Sequence, residues 1–166
     1  MHDRAHLSTP RTVAALVLAV SATLALSATL PACSRSSAER VDAAPRAADP
    51  ACVEALEKAP TLVLDRPRTP TTVAGTLAWG EPGVLLRCGL PPLGPTDREC
   101  LEIDGVPWVI ADPEQKHDPQ VFTTFGRDPA VEVRVPLDDV RAQAAAALVD
   151  VAPVARALPE NGRACS

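Results

Sequence analysis

Apolar and polar positions along the chain fall into three regimes: an almost wholly apolar run at residues 12–30, a stretch without apolar period at 34–48, and short alternating runs beyond 49. The alternation is clearest around WGEPGVLLRCG. There Gly80, Glu81, Pro82 and Gly83 separate two runs that can pair as antiparallel strands, 73–79 and 84–88. With Trp79 facing Val84, the two-residue period sets Leu77 opposite Leu86 and Gly75 opposite Cys88 on one apolar face. Thr76, Ala78, Leu85 and Arg87 fall on the other face, which suits a partly solvated or ligand-facing surface. A second hairpin is expected in CLEI-DG-VPWVI, where Asp104-Gly105 fits a type I′ turn. Its register sets Ile103 against Val106, Leu101 against Trp108 and, on the reverse side, Cys100 against Val109. Pro107 cannot donate to a ladder, so its strand is expected at an edge or bulged there. A third hairpin, VFTTF-GRDP-AVEVRV, pairs Phe122 with Val133 and Thr124 with Val131, with Glu132 and Arg134 pointing away.

Helical signals flank these hairpins. Asp49 is a good N-cap and Pro50 suits the first helical position; Cys52, Leu56 and Ala59, with Val53 alongside, then form an apolar face that Pro60 ends. Residues 61–64 suit a short strand and 66–70 an extended, exposed segment. Residues 90–99 and 111–120 read as loops. Near the C-terminus, residues 137–147 suit a helix, LVDV at 148–151 alternates like a strand, and Pro153 argues against one continuous helix. The expectation is a helix, a short strand at 147–151 and a final helix at 153–158. The sum is an α+β fold: a small single domain of six to eight short strands, mainly antiparallel hairpins, with a short N-terminal helix and C-terminal helices.

The front of the chain carries Arg4 and Arg11, then the apolar run, then Leu30-Pro31-Ala32-Cys33. A basic start, an apolar run and a small residue before the cut make an export signal, and the last four residues resemble a bacterial lipobox. On this basis 1–32 is a lipoprotein signal peptide, 33–48 a lipidated Cys33 with a flexible tether reaching on the order of 20 Å, and 49–166 the domain. Two acyl chains on Cys33 would hold the protein stably to the membrane. The competing possibility is an uncleaved transmembrane helix, since a run of 19 residues is nearly enough to span. Either places the domain on the extracytoplasmic face of the cell membrane, because the leading arginines favour a cytoplasmic N-terminus.

Arg outnumbers Lys 14 to 2, yet the net charge is −5, and without the first 32 residues 14 basic groups stand against 20 acidic ones, or −6. An acidic domain with scattered basic residues disfavours nucleic acid and anionic lipid as partners. Beyond Cys33 there are four more cysteines, and an even number in an exported domain implies two disulfides among three connectivities. The preferred pairing is Cys88 with Cys100 and Cys52 with Cys165. No C-x-x-C spacing occurs and His117 is the only histidine past the signal, so no metal or other cofactor is expected.

Most catalytic schemes lack their parts. Past the signal, serines stand only at 34, 36, 37 and 166, there is no tyrosine, and no glycine-rich phosphate loop is present. Glu102, Asp104, Glu132 and Asp150 leave one enzymatic alternative, a carboxylate-dependent hydrolase of the envelope. The better surface candidates are Arg87, Arg127 and Arg134 with Trp79 and Trp108. Arginine forks gathered on one sheet face would suit an anionic small ligand or a peptide terminus. Against this stands a plain structural role, with Arg127 paired to Asp128 and the tryptophans in the core.

Taken in one order, WGEPGVLLRCG, the DG hairpin ending in PWV, FTTFGRDPAVEVRVP and ALVDVAPVARALP are similar to a family of small actinobacterial cell-envelope lipoproteins of unknown function. The match covers about residues 50–165, with Lys58-Ala59-Pro60 where Leu-Pro is commoner. The resemblance implies an envelope-exposed domain with Trp79, Arg87, Cys88, Trp108 and Arg127 in signature positions, and implies no activity. The expected function is a lipid-anchored, non-enzymatic binding or accessory module contacting an envelope protein or small anion; a structural spacer is the further alternative.

Overall fold

The computed structural model of the chain describes residues 41–81, 83–111, 118–136 and 140–165. The export run, Cys33, His117 and the first residues of the expected C-terminal helix lie outside these. The described elements are α1 (Pro50–Leu56), β1 (Leu62–Val63), β2 (Arg66–Thr69), β3 (Thr76–Gly80), β4 (Gly83–Leu90), β5 (Cys100–Ile103), β6 (Val106–Ala111), β7 (Gln120–Thr124), β8 (Ala130–Val135) and α2 (Val140–Arg156). The strands make one antiparallel sheet in the order β1-β2-β3-β4-β8-β7-β6-β5. With two helices and two disulfides, this is the expected α+β architecture.

Local turn chemistry sets the hairpin registers as expected. Trp79 opposes Val84 and Leu77 opposes Leu86, and the strands run on into the anticipated four-residue turn until Gly80 opposes Gly83. Asp104 and Gly105 take φ of 50° and 71°, the left-handed pair a type I′ turn needs, with Ile103 against Val106 and Leu101 against Trp108. The strand holding Pro107 is not an edge, because β6 lies between β5 and β7. Its missing N–H is tolerated because β7 pairs with β6 only from Trp108 onward, while the Pro107 carbonyl still accepts from the Phe125 N–H at 2.8 Å.

One sheet face carries the core. Trp79, Val84, Leu86, Trp108, Val131 and Val133 are fully buried there, in one cluster with α1 and α2 residues. In α1, Asp49 caps the Ala51 N–H as expected, but Cys52 and Ala55 face inward while Val53 is 53% exposed. The expected break at 147–151 does not occur: α2 runs unbroken through Pro153. Its buried positions, Ala144, Ala147, Leu148, Val151 and Ala155, follow helical period, so the apparent alternation of LVDV was one turn of this stripe. Pro153 removes the bond to the Val149 carbonyl, and Val149 lies on the exposed side, where solvent can satisfy that carbonyl.

The cysteines do form two disulfides, in a connectivity other than the preferred one: Cys52–Cys88 and Cys100–Cys165. A Cys88–Cys100 bridge assumed that successive hairpins are neighbours. Instead β8, β7 and β6 stand between β4 and β5, about 19 Å at normal strand spacing, far beyond disulfide reach. Cys88 shares its face with Val84 and Leu86, which α1 covers, so Cys52 is its partner.

The opposite face is covered without helices. Residues 41–48, expected as the end of a flexible tether, lie along it instead, with Val41 and Ala44 buried and Val41 clustered with Ala78 and Leu85. The Arg46 N–H bonds the Gly89 carbonyl at 2.9 Å as this strap leaves the face toward α1. Gly89 makes the crossing possible: its φ is 106°, it marks the register shift between β4 and β8, and a Cβ there would stand 2.4 Å from the Arg46 carbonyl carbon. The surface expected to be partly solvated is therefore closed over Ala78 and Leu85.

Candidate functional site

The four residues expected to bind a ligand are not brought together. Trp79 and Trp108 are fully buried in the helix-covered core. The Trp79 indole donates to the Pro60 carbonyl at 3.1 Å, and the Arg68 guanidinium lies 5.9 Å over its ring, closing the core from outside. Both tryptophans are core residues, the plain structural role.

Arg87 lies on the opposite face, as its register requires. Opposite it on β8 stands Glu132, and the two form a forked pair, Nε to Oε1 at 2.9 Å and Nη2 to Oε2 at 3.1 Å. Arg134, two residues along the same strand, adds a bond from its Nε to Glu132 Oε1 at 2.7 Å. Burial pushes the Glu132 carboxyl toward a higher pKa, but hydrogen bonds from Arg87 and Arg134 outweigh it, so the carboxyl titrates below its ordinary range. Glu132 and Arg134 do point away from the core, as expected, yet into this ion cluster. A further bond from Arg87 Nη1 to the Asp42 carbonyl at 3.2 Å ties the cluster to the strap. It is a lock between strands and strap, with one carboxylate already satisfying both arginines.

Arg127 occupies a third place, the connection between β7 and β8. Its partner is not Asp128, which pairs with Arg46. Arg127 is 5% exposed; its Nη1 donates to the Leu158 carbonyl at 3.0 Å and lies 3.0 Å from Glu160 Oε1. After α2 the C-terminal tail lies against this connection: the Asp128 N–H bonds the Pro159 carbonyl at 3.1 Å, and the Asn161 N–H bonds the Gly126 carbonyl at 2.9 Å. Gly126 has φ of 79°, and a Cβ there would meet the Arg163 carbonyl oxygen at 2.1 Å, so only glycine lets the tail approach this closely. The Cys100–Cys165 bridge then pins the tail's end to β5.

Between tail and sheet end lies a cleft of about 230 Å³, lined by Gly105, Pro107, Phe125, Arg127, Glu160 and Arg163 among others. A neighbouring hollow of about 460 Å³, which also touches Phe125, runs under residues 95–100 to Cys165. This tail-built end is the candidate site. Of the residues singled out in the sequence for ligand binding only Arg127 belongs to it. Glu160 and Arg163 were not foreseen, because their place depends on which cysteine Cys165 finds.

The carboxylates of the enzymatic alternative are dispersed: Glu102 is exposed on β5, and the other three are committed to partners in the fold. Asp104 pairs with Arg156, Asp150 accepts from the Leu64 N–H at 2.9 Å at the β1–β2 turn, and Glu132 lies on the other sheet face. Among the described residues no three His, Cys, Asp or Glu side chains gather as a metal-binding group. No helix of the described residues is long and apolar enough to cross a membrane.

A family model described as a protein of unknown function matches residues 11–162, nearly the whole chain. Comparison with curated proteins and with solved structures finds no match.

Proposed function

The chain belongs to the family of proteins of unknown function DUF3515, and from that premise we propose that it is a lipid-anchored, extracytoplasmic binding or accessory domain of the cell envelope, held to the membrane through Cys33. One observation carries the location. Four of the five cysteines are paired, and the Cys52–Cys88 bridge is fully buried in the core. Such a core forms in an oxidising compartment. The cysteine left over, Cys33, stands in the Leu30-Pro31-Ala32-Cys33 sequence, whose chemistry is lipidation rather than bridging.

The binding role is supported by what the domain spends its polar groups on. Asp104, Glu132 and Asp150 hold the fold together, whereas the cleft beside the tail keeps an arginine at its wall. Replacing Cys33→Ala in the full chain is the test. Fractionation of cells is expected to find the native protein with the membrane and the variant largely released from it. A variant that stays with the membrane as firmly as the native chain would replace the lipid anchor by an uncleaved helix.

A further inference from the structure

Arg127 is a nearly buried cation whose guanidinium is only half used. Both of its protein contacts, the Leu158 carbonyl and Glu160, fall on Nη1. The Nε–Nη2 edge meets no acceptor among the described residues. Neither nitrogen is among the buried polar atoms left without a partner, which are Thr69 Oγ1 and Trp108 Nε1, so that edge is open to the cleft that Arg127 lines. This is the opposite of Arg87, whose fork is filled by both oxygens of Glu132.

Glu160 is the resident acid at this site, and it is held loosely. Its side chain is 74% exposed against 6% for Arg127, so the pair has one fixed and one free member. Arg163, on the same cleft, donates to the Leu93 carbonyl at 2.7 Å and has no carboxylate partner among the described residues. The cleft lining therefore holds two arginines and one carboxylate, an excess of one positive charge. Phe125 and Pro107 supply apolar wall. A Cβ placed on Gly105 or Gly162 would meet nothing within 4 Å, so the mouth is open at both glycines.

We propose that this cleft binds the carboxylate end of a short, small-side-chain peptide, with Arg127 receiving the carboxylate on its open edge and Glu160 as the intramolecular competitor that the ligand displaces. The proposal rests on the reading of the chain as a binding domain and names its site and ligand class. The carboxylate follows from Glu160 itself, a carboxylate already lodged against this arginine. The size follows from the cleft: at about 230 Å³ it falls below the ~300–1,000 Å³ of sites that enclose drug-sized molecules, so it holds a chain end rather than a whole cofactor.

The test titrates the full chain in detergent with N-acetyl-alanyl-alanine, with the C-terminal amide of that dipeptide and inorganic phosphate as comparisons. The free acid is expected to bind, and the amide about tenfold more weakly or worse. Glu160→Gln, an exposed change that leaves the Leu158 contact in place, is expected to tighten binding about two- to fivefold, the range set by an ion pair with one exposed member. Arg127→Lys, which keeps the charge and loses the fork, is expected to weaken binding about tenfold. A gain on Glu160→Gln cannot arise from misfolding. Acid and amide binding alike, no binding of either, an unchanged or weakened Glu160→Gln, or phosphate binding more tightly than the dipeptide would each overturn the site. A chain that loses its membrane attachment on Cys33→Ala yet ignores the dipeptide would sink the cleft and leave the anchored domain standing.

Discussion

One face of the sheet is sealed by two helices, the other by a strap of residues 41–48 and, at its far end, the C-terminal tail. The same strands feed both faces, alternating residue by residue, yet they send out different side chains. Toward the helices go Trp79, Val84, Leu86, Trp108, Val131 and Val133; toward the strap go Ala78, Leu85, Arg87, Glu132 and Arg134. A helix needs bulky residues beneath it to fill the space between layers about 10 Å apart, whereas an extended strap lies close and needs small residues and polar anchors. The helix side is thus held by volume, and the strap side by a three-residue apolar cluster and an ion lock.

The largest expected contrast follows from that difference. Trp79→Ala removes a fully buried indole from the main core, and a loss of about 3–5 kcal/mol is expected. Leu85→Ala, on the strap side, is expected to cost about 2 kcal/mol, the low end for such a change, because a strap can settle into the space a sheet cannot. Equilibrium denaturation of the two variants measures the difference. Equal losses would mean that the strap side is a second core rather than a cover.

The hairpins were legible in the sequence because their registers are local. An Asp104-Gly105 pair dictates its own turn, and the two-residue period then places Ile103 against Val106 whatever lies elsewhere. Three features escaped because each depends on a distant partner. The insertion of β8 beside β4 decides the disulfides, and no pattern near Cys88 announces it. The β1–β2 turn puts Leu64 and Asp65 at φ of 51° and 59°, a pair that turn propensities would not choose; Asp150, 86 residues away, takes the Leu64 N–H. The strap reads as a tether because its buried residues, Val41 and Ala44, are too few and too small to register as a pattern. At the candidate site, Arg127 stood out in FTTFGRDP, while the tryptophans drew attention as binding residues although large size and full burial make them core. Glu160 and Arg163 became visible only once the tail was placed.

The ion lock offers a middle-sized test that depends on pH. Because the Glu132 carboxyl titrates below its ordinary value of 4.5, it favours the folded state fully above that value, and the contribution is lost as pH falls through the lower, folded-state pKa. Glu132→Gln keeps the shape, removes the charge, and is expected to cost about 1–3 kcal/mol near pH 7. Below pH 4.5 the gap between native and variant should narrow, since protonation does to Glu132 what the substitution does permanently. Stability measured from pH 7 down to pH 3 checks this. Parallel curves would show that the two arginines hold the strand pair without the carboxylate's charge.

The smallest effect belongs to the strap itself. Val41 is 6% exposed, and Val41→Ala removes two methyl groups from the three-residue cluster, an expected loss of about 1–1.5 kcal/mol. Where that loss appears matters more than its size. If the strap opens on its own, amide exchange should quicken at Arg46, whose N–H bonds Gly89, and stay unchanged at Cys88, whose N–H bonds Gly75 just before the neighbouring strand β3. Equal acceleration at both would show that strap and sheet open as one unit. No change at Arg46 would shift the weight from the apolar contact to the pairs that the Arg46 side chain makes with Asp49 and Asp128. Under the proposed anchoring the result has a mechanical meaning, because Val41 stands eight residues after Cys33. Any pull from the membrane would reach the strap before the sheet, so a strap that opens independently would spare the core and loosen first the Arg87 bond to the Asp42 carbonyl.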